Sequence, residues 1–276
     1  MNKQLHTVIC VNIILLIGAC TPTVSLKSNW QSKPISADGN ASEWFIPLRF
    51  YDSESKLNYN LTNDNENIYI CARIVDELSQ AKVVRNGINI WFDTLAKKNK
   101  ACGILFPIPD KNSDDFNPSE SSSTKHGTNS LDAIKKKFLQ TANQMQLTGF
   151  KSGIPDFLAP SSNEFGINVS INWDANNIMI YEAVVPFKTF YKSALVAKDS
   201  LKNIDFSMTI PGFPAPEKKD DGNNSGNGGG MGGGGMGGSA GGMGGGGRNM
   251  RAGNTAEVNT MYETKSFWVK MRLSAK

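Results

Sequence analysis

The sequence is poor in the residues that most often carry catalysis. Histidine occurs only twice in 276 residues, as His6 and His126, and the second lies in a polar stretch with no strand or helix pattern. No nucleophile motif and no spacing typical of a metal site accompanies it. An enzyme is therefore the least favoured class of function, and we expect no cofactor and no metal.

A basic stripe and a second long apolar run are also missing. Lysine and arginine total 29 against 25 acidic residues, a net charge of +4. The positive charges are scattered, without the stripe typical of a protein that binds nucleic acid. The one pronounced apolar run, Val8 to Ile17, is roughly half as long as a membrane-spanning helix requires. We therefore expect neither nucleic-acid binding nor a transmembrane helix.

The first 19 residues have the features of a signal peptide. Lys3 precedes the apolar run, and Gly18 and Ala19 stand directly before Cys20. This order resembles the lipobox of bacterial lipoproteins, which implies that Cys20 is lipidated, palmitate included, and becomes the first mature residue. An ordinary secretory peptide with an incidental cysteine is the alternative.

The residues after Cys20 bear on location. Residues 20–33 are interpreted as a lipid-anchored tether. No aspartate follows the cysteine, which by the same resemblance favours the outer membrane. No acidic cluster for surface export follows either, so the periplasmic face of the cell envelope is the expected side.

Cysteine usage leaves one open question. With Cys10 in the signal peptide and Cys20 lipidated, Cys71 and Cys102 remain. An oxidising envelope would let them pair, closing a loop of about 30 residues and contributing about 3–4 kcal/mol in the chain-entropy model. The alternative is two separate, packed thiols.

Alternation of side chains is the main structural signal. From residue 68 to 75, apolar Ile68, Ile70, Ala72 and Ile74 share one face, and the mixed set Tyr69, Cys71, Arg73 and Val75 shares the other. Ile88–Asp93 repeats the pattern, with Asn89 and Trp91 opposite the apolar side. A period of two is typical of antiparallel sheets that bury one face and leave the other free for recognition.

Further strands are predicted at 46–50, 101–107, 166–173, 178–186, 204–210 and 267–273. The sequence thus predicts an all-β fold, an antiparallel β-sandwich of the jelly-roll type, over residues 34–276. One inserted helix is predicted where Leu131, Phe138 and Met145 recur at helical spacing after Ser130, a plausible N-cap.

Two interruptions of the sandwich are expected. The first is an insertion at about 110–165, which contains the predicted helix. The second is a disordered Gly/Met-rich loop at about 216–256, because 16 of the 22 residues in Gly226–Gly247 are glycine and bury almost nothing.

Two side chains depart from the strand pattern. Glu182 lies on an otherwise apolar strand face, and a buried carboxylate must find donors. It therefore either holds backbone amides or serves a site, and we favour the first role. Trp44 follows a turn and is expected to pack in the core.

Several short motifs, taken in order, resemble the family 9 carbohydrate-binding modules and their DOMON-like relatives, a β-sandwich superfamily. They are Asp38-Gly39 with Glu43-Trp44, Asn67–Ile70 leading to Asp76, Ile88–Asp93, Tyr181–Phe187, and a final aromatic strand that ends at Leu273. The resemblance spans Pro34 to Leu273. It implies a non-catalytic module that holds a glycan weakly on an exposed sheet face.

The sugar-binding residues of that family are only partly present. Val83 and Asn89 stand where the family has a tryptophan and a glutamate. Tyr262 falls where the family has a second tryptophan, before the final strand. Asn259 falls near the position of a family asparagine that contacts sugar. The candidate ligand-binding residues are Tyr262, Asn259, Asn89, Arg73 and Trp91, with Arg73 and Asn89 expected to converge on one surface. The alternative is a structural or assembly lipoprotein that has lost sugar binding and contacts envelope proteins.

Overall fold

The computed structural model describes residues 25–109, 129–151, 154, 156–214 and 260–276. The predicted lipidation site Cys20, the candidate Asn259 and the Gly/Met-rich segment 216–256 lie outside these residues. Among the described residues, no helix is long and apolar enough to cross a membrane.

In the part of the chain that the structure describes, thirteen strands form two sheets. They are β1 Leu26–Lys27, β2 Asn29–Trp30, β3 Phe50–Asp52, β4 Leu57–Asn63, β5 Asn67–Ile74, β6 Ile88–Asp93, β7 Cys102–Phe106, β8 Gln144–Thr148, β9 Phe157–Pro160, β10 Asn168–Trp173, β11 Met179–Pro186, β12 Asn203–Ile210 and β13 Lys265–Arg272. The seven-stranded sheet has the order β1-β13-β12-β6-β7-β8-β9. The six-stranded sheet has the order β10-β11-β5-β4-β2, with β3 also paired to β4.

The main core lies between the two sheets. Alternate residues of β5 and β6 point into it, and their apolar side chains are almost fully buried. Tyr59 of the six-stranded sheet stacks on Phe267 of the seven-stranded sheet, with ring centroids 4.8 Å apart. The predicted all-β sandwich is therefore confirmed, with most strand pairs antiparallel.

The amino-terminal strands join both sheets. β1 pairs in parallel with β13, and β2 pairs in parallel with β4. Between them Ser28 is buried, where its Oγ accepts from the Ser274 backbone N–H at 3.0 Å and its carbonyl accepts from the Ser274 hydroxyl at 2.6 Å. Residues 26–30, assigned to the tether from sequence, therefore belong to the sandwich.

The predicted insertion contributes to the sheet. Helix α2 spans Asn129–Thr141 and ends before Met145, which lies on β8 with its side chain in the main core. Strands β8 and β9 both extend the seven-stranded sheet. The predicted helix was therefore too long, because apolar residues at helical spacing continue into a strand whose own alternation buries Met145 and Leu147.

Other elements differ from the sequence-based expectation. Helix α1, Glu77–Asn86, was missed; Asp76 caps it by accepting from the Ser79 N–H at 3.0 Å. The first predicted strand starts only at Phe50, since Pro47 has no N–H to contribute to a ladder. A four-residue helix α3, Phe187–Phe190, follows β11, and two 3₁₀ helices span Ala41–Glu43 and Ala197–Leu201.

Both remaining cysteines are free and buried. Cys71 on β5 packs in a small second apolar cluster, whereas Cys102 on β7 packs in the main core. The disulfide considered from sequence is therefore not formed, and the alternative of two separate packed thiols describes the structure.

Candidate functional site

The outer face of the six-stranded sheet is largely covered. Residues 35–48, called the cover segment here, place Ile35, Trp44 and Leu48 on this face. They form the second apolar cluster with four residues of β5 and β11, namely Tyr69, Cys71, Ile180 and Val184. The expectation that the mixed face of β5 is free for recognition was therefore wrong for most of its length.

Glu182 fixes the cover segment to the sheet. Its Oε2 accepts from three successive backbone N–H groups, those of Asp38, Gly39 and Asn40, at 3.2, 2.8 and 3.1 Å. Its Oε1 accepts from the Trp44 indole N–H at 2.6 Å. The structural role predicted for Glu182, and the buried position predicted for Trp44, are confirmed.

The environment of Glu182 also controls its protonation. Only 1% of the residue is exposed, and this burial raises the pKa of its carboxyl from 4.5 to about 7, with the donors from Trp44 and Gly39 opposing the rise. Gly39 has a positive φ of +80°, and a Cβ there would come within 2.6 Å of the Asn172 Cβ. A glycine is therefore required where the segment approaches the sheet.

The candidate residues do not all share one surface. Arg73 lies on the outer side of the six-stranded sheet, where its Nη2 is 3.6 Å from Asp174 Oδ2. Asn89 and Trp91 lie on the outer side of the seven-stranded sheet, opposite the buried side chains of β6. The predicted convergence of Arg73 and Asn89 was wrong, because the two residues point away from each other across the sandwich.

The positions inferred from the family resemblance are dispersed in a similar way. Val83, matched to a family tryptophan, is fully buried in the main core on α1. Tyr262 is half-buried, and a Cβ on Gly212 would come within 2.2 Å of its carbonyl oxygen. It lies just before β13, at the same end of the seven-stranded sheet as Asn89, which pairs with Thr209.

One row of side chains crosses the outer face of the seven-stranded sheet. Strand pairing places Trp268, Ser207, Trp91, Gly103 and Thr148 side by side on β13, β12, β6, β7 and β8. We call these five residues the tryptophan row. Sequence reasoning identified only Trp91 among them.

Gly103 makes room for the Trp91 indole. A Cβ on Gly103 would come within 2.4 Å of Trp91 Cε3 and 2.6 Å of Cζ3, so the six-membered ring occupies the space above the glycine. The Lys100 ammonium lies 5.8 Å from the centre of the ring system. Trp91 and Trp268 are both half-buried, which leaves part of each indole accessible.

Unpaired polar atoms concentrate on this face. Seven buried side-chain atoms of the described residues have no hydrogen-bond partner, and four belong here: Trp91 Nε1, Ser207 Oγ, Thr209 Oγ1 and Asp205 Oδ1. Asp205, Ser207 and Thr209 are alternate residues of β12 and so point the same way. Each unpaired buried group costs about 1–3 kcal/mol, and such a cost is commonly tolerated at functional sites.

A loop borders the row on one side. Residues 94–100, between β6 and β7, are held by Asp93, which accepts from the backbone N–H groups of Leu95, Lys97 and Asn99 at 2.8–2.9 Å. Asp205 Oδ2 accepts from the Lys98 N–H at 2.9 Å. The backbone donors hold the pKa of Asp93 below its usual value despite burial, which by itself raises it.

The chemistry of this face suits binding. It offers two aromatic surfaces, hydroxyl groups and the half-buried amide of Asn89. Within the described residues, no group of three histidine, cysteine or acidic side chains is placed to hold a metal. The chain matches no family model, no curated protein and no solved structure.

Proposed function

We propose that this protein is a non-catalytic binding module that holds a glycan on the outer face of the seven-stranded sheet, with Trp91 as the stacking surface. The observation that carries the proposal is the Trp91 indole seated over Gly103, beside hydroxyls without protein partners. Proteins bind sugars by stacking a ring face on an aromatic side chain and adding a few directed hydrogen bonds.

The binding groups follow from the geometry of the face. Trp91 and Asn89 are retained from the sequence-based candidates, Tyr262 lies at the end of the sheet nearest Asn89, and Arg73 is left out. Ser207, Thr209 and Trp268 are added. The unpaired atoms are out of contact with water, so side chains around the row must shift for a ligand to reach them.

We place this module in the cell envelope. The proposed lipid on Cys20 holds it at the outer membrane on the periplasmic face. Its acyl chains contribute about 0.8 kcal/mol per buried methylene. A Cys20→Ser variant should leave the membrane fraction, and mass spectrometry of the wild type should find acyl groups on Cys20. A wild-type protein without acyl groups on Cys20 would contradict the proposed lipid anchor.

The glycan proposal is tested by titrating the full-length protein with a panel of sugars and following NMR shifts. We expect weak binding, with a Kd of about 0.1–1 mM, equivalent to about 4–5.5 kcal/mol. Trp91→Ala should weaken it at least several-fold. Trp30→Ala is the matched control, since Trp30 is a half-buried tryptophan on β2, in the other sheet.

Two results would contradict the proposal. Equal shifts in wild type and Trp91→Ala would remove Trp91 from the site. No shifts with any sugar at millimolar concentration would favour the alternative, a structural or assembly lipoprotein that uses this face against an envelope protein.

A further inference from the structure

We infer that one end of the sandwich docks directly on the lipid bilayer, through exposed leucines and lysines of two loops that meet at the start of β12. This inference rests on the part of the proposed function that places acyl chains on Cys20, and it does not depend on the glycan. Two independent observations support it. The first is the short distance between Cys20 and the sandwich, and the second is the chemistry of the surface at that point.

The sandwich begins only a few residues after Cys20. Strand β1 starts at Leu26 and pairs with β13, and the Ser25 hydroxyl donates to Asn203 Oδ1 at 2.9 Å. Five residue steps separate Cys20 from Ser25, and a fully extended chain covers at most about 18 Å over that length. A lipidated Cys20 would therefore keep the start of β12, where Asn203 lies, within about 25 Å of its acyl chains.

Two loops meet at the start of β12. Residues 196–202 lead directly into this strand and include the second 3₁₀ helix. The loop 94–100 follows β6, and its Lys98 N–H donates to Asp205 Oδ2 at 2.9 Å. The pairing of β6, β12 and β13 places both loops at the end of the sheet where β13 finishes. We call residues 94–100 and 196–202, together with Arg272, the basic end.

Positive charge collects at the basic end, although it is scattered along the sequence. Six exposed cations lie here, namely Lys97, Lys98, Lys100, Lys198, Lys202 and Arg272. None of them forms an ion pair with a carboxylate of the described residues. The two loops contain one acidic residue, Asp199, which is buried and bonded to the Lys192 ammonium at 2.7 Å. A surface with such unpaired positive charge attracts anionic lipid headgroups.

The same loops expose apolar side chains among the lysines. Leu201 is 75% exposed and Leu95 is 69% exposed, and Val196 is exposed as well. Residues three apart eclipse in a 3₁₀ helix, so Lys198 and Leu201 point the same way. At a bilayer surface, apolar side chains enter the boundary between headgroups and acyl chains while basic groups stay at the phosphates. A soluble polyanion would use the lysines and leave the leucines in water, so a bilayer is the partner that fits both.

The test measures which surface of the protein touches lipid. Full-length acylated protein carrying Leu201→Cys is labelled with an environment-sensitive fluorophore and reconstituted in phosphatidylcholine vesicles with about 25% phosphatidylglycerol. The label is selective, because Cys71 and Cys102 are buried and Cys20 carries the acyl groups. Leu158→Cys is the matched control. Leu158 is also an exposed leucine, but it lies on β9, at the edge of the sheet opposite β1.

A nitroxide attached to the lipid should quench the label at position 201 about threefold more than the label at position 158. A second set of variants assigns this contact to the leucine. With the label on Val196→Cys, Leu201→Asp should reduce quenching about threefold, whereas Leu158→Asp should not change it. Circular dichroism confirms that each variant is folded.

Three results would overturn this inference and leave the lipid anchor standing, provided that mass spectrometry finds acyl groups on Cys20. They are equal quenching at positions 201 and 158, quenching that Leu201→Asp does not change, and stronger quenching of a label on Phe45→Cys. Phe45 is an exposed aromatic residue of the cover segment, outside the basic end. A Cys20 without acyl groups would overturn the anchor and this inference together. The sugar titrations test the glycan proposal independently of all these outcomes.

Discussion

The two outer faces of the sandwich start from the same sequence pattern and end as different environments. On β5 the residues opposite the main core include Tyr69 and Cys71, and both are at most 1% exposed. On β6 the equivalent residues are Asn89 and Trp91, and both remain half-buried at the surface. Alternation indicates which residues leave the main core, but not whether another segment then covers them.

The difference has a specific cause. The cover segment brings its own apolar side chains to the six-stranded sheet, and Glu182 satisfies four N–H donors that would otherwise be buried without partners. On the outer face of the seven-stranded sheet the Ser207 and Thr209 hydroxyls are also buried, but they have no hydrogen-bond partner. One face has become interior, and the other keeps unused hydrogen-bonding capacity.

Removing the carboxylate of Glu182 should have the largest effect. Glu182→Ala leaves three backbone N–H groups and an indole N–H without an acceptor, and we expect a loss of at least about 3 kcal/mol in the free energy of unfolding. Urea denaturation measures it. Glu43→Ala is the control, because Glu43 is an exposed residue that accepts one hydrogen bond, from the Ser36 N–H at 3.3 Å.

The same variant reports where the structure opens. If the cover segment detaches, Cys71 should react with a thiol reagent much faster than in the wild type, while Cys102 in the main core stays protected. Equal labelling of both cysteines would mean that the whole sandwich opens, and a loss of stability below about 1 kcal/mol would mean that Glu182 does not hold the segment.

The raised pKa of Glu182 predicts a pH dependence of stability. The folded protein binds a proton at the Glu182 carboxyl more tightly than the unfolded chain does. The resulting contribution to the free energy of unfolding is therefore fully present below pH 4.5 and is lost as pH rises towards about 7. The full shift corresponds to about 3 kcal/mol. The neighbouring Asp38 carboxylate acts in the same direction by repulsion.

Denaturation at a series of pH values measures this slope. Glu182→Gln has no titrating group at the position, so its unfolding free energy should lack the decline between pH 4.5 and 7 that the wild type shows. Asp76 and Asp93, whose pKa values are lowered, lose their stabilising effect only at more acidic pH. Parallel curves for the two proteins would show that Glu182 does not titrate in this range.

On the exposed face, Gly103→Ala should displace the Trp91 indole. The added Cβ would overlap the six-membered ring at 2.4 Å, so the ring must lift or turn, at a cost of about 1–3 kcal/mol. Glycan binding should fall with it. Thr148→Ala, in the same row on β8, removes atoms without a clash and serves as the control. Unchanged tryptophan fluorescence and unchanged glycan binding in Gly103→Ala would contradict the proposal that the Trp91 indole, lying over Gly103, is the stacking surface for a glycan.

The sequence allowed most strands to be predicted, for a physical reason. Apolar residues recur at every second position along β6, β11, β12 and β13, and the observed bounds of these strands fall within one or two residues of the predicted ones. Helix α1 was missed because its buried face includes the polar Ser79 and the Lys82 stem, whose ammonium donates to the carbonyls of Thr260 and Glu263. Such contacts depend on residues about 180 positions away.

The candidate site was less predictable than the fold. Alternation with Phe267 and Met271 already places Trp268 on an outward face, but its proximity to Trp91 depends on β12 lying between β6 and β13. The three strands β6, β12 and β13 come from widely separated parts of the chain, between residues 88 and 272. Arg73 was misassigned for the same reason, since sheet membership is a property of topology and not of the strand's own sequence.

The smallest expected effect compares two buried threonines. Thr209 on the exposed face has a hydroxyl without a partner, whereas the Thr189 hydroxyl donates to the Pro186 carbonyl at 2.6 Å. They are 7% and 2% exposed. Valine has the shape of threonine, so each Thr→Val change isolates the hydroxyl. We expect Thr189→Val to lose about 1 kcal/mol and Thr209→Val to be neutral or stabilising by up to about 1 kcal/mol. Thermal and urea unfolding measure both.

Thr209→Val should also weaken glycan binding while Thr189→Val should not, because only the Thr209 hydroxyl is left for a ligand. A destabilised Thr209→Val protein with unaltered binding would mean that the hydroxyl already has a partner within the fold, and the two faces would then differ only in burial.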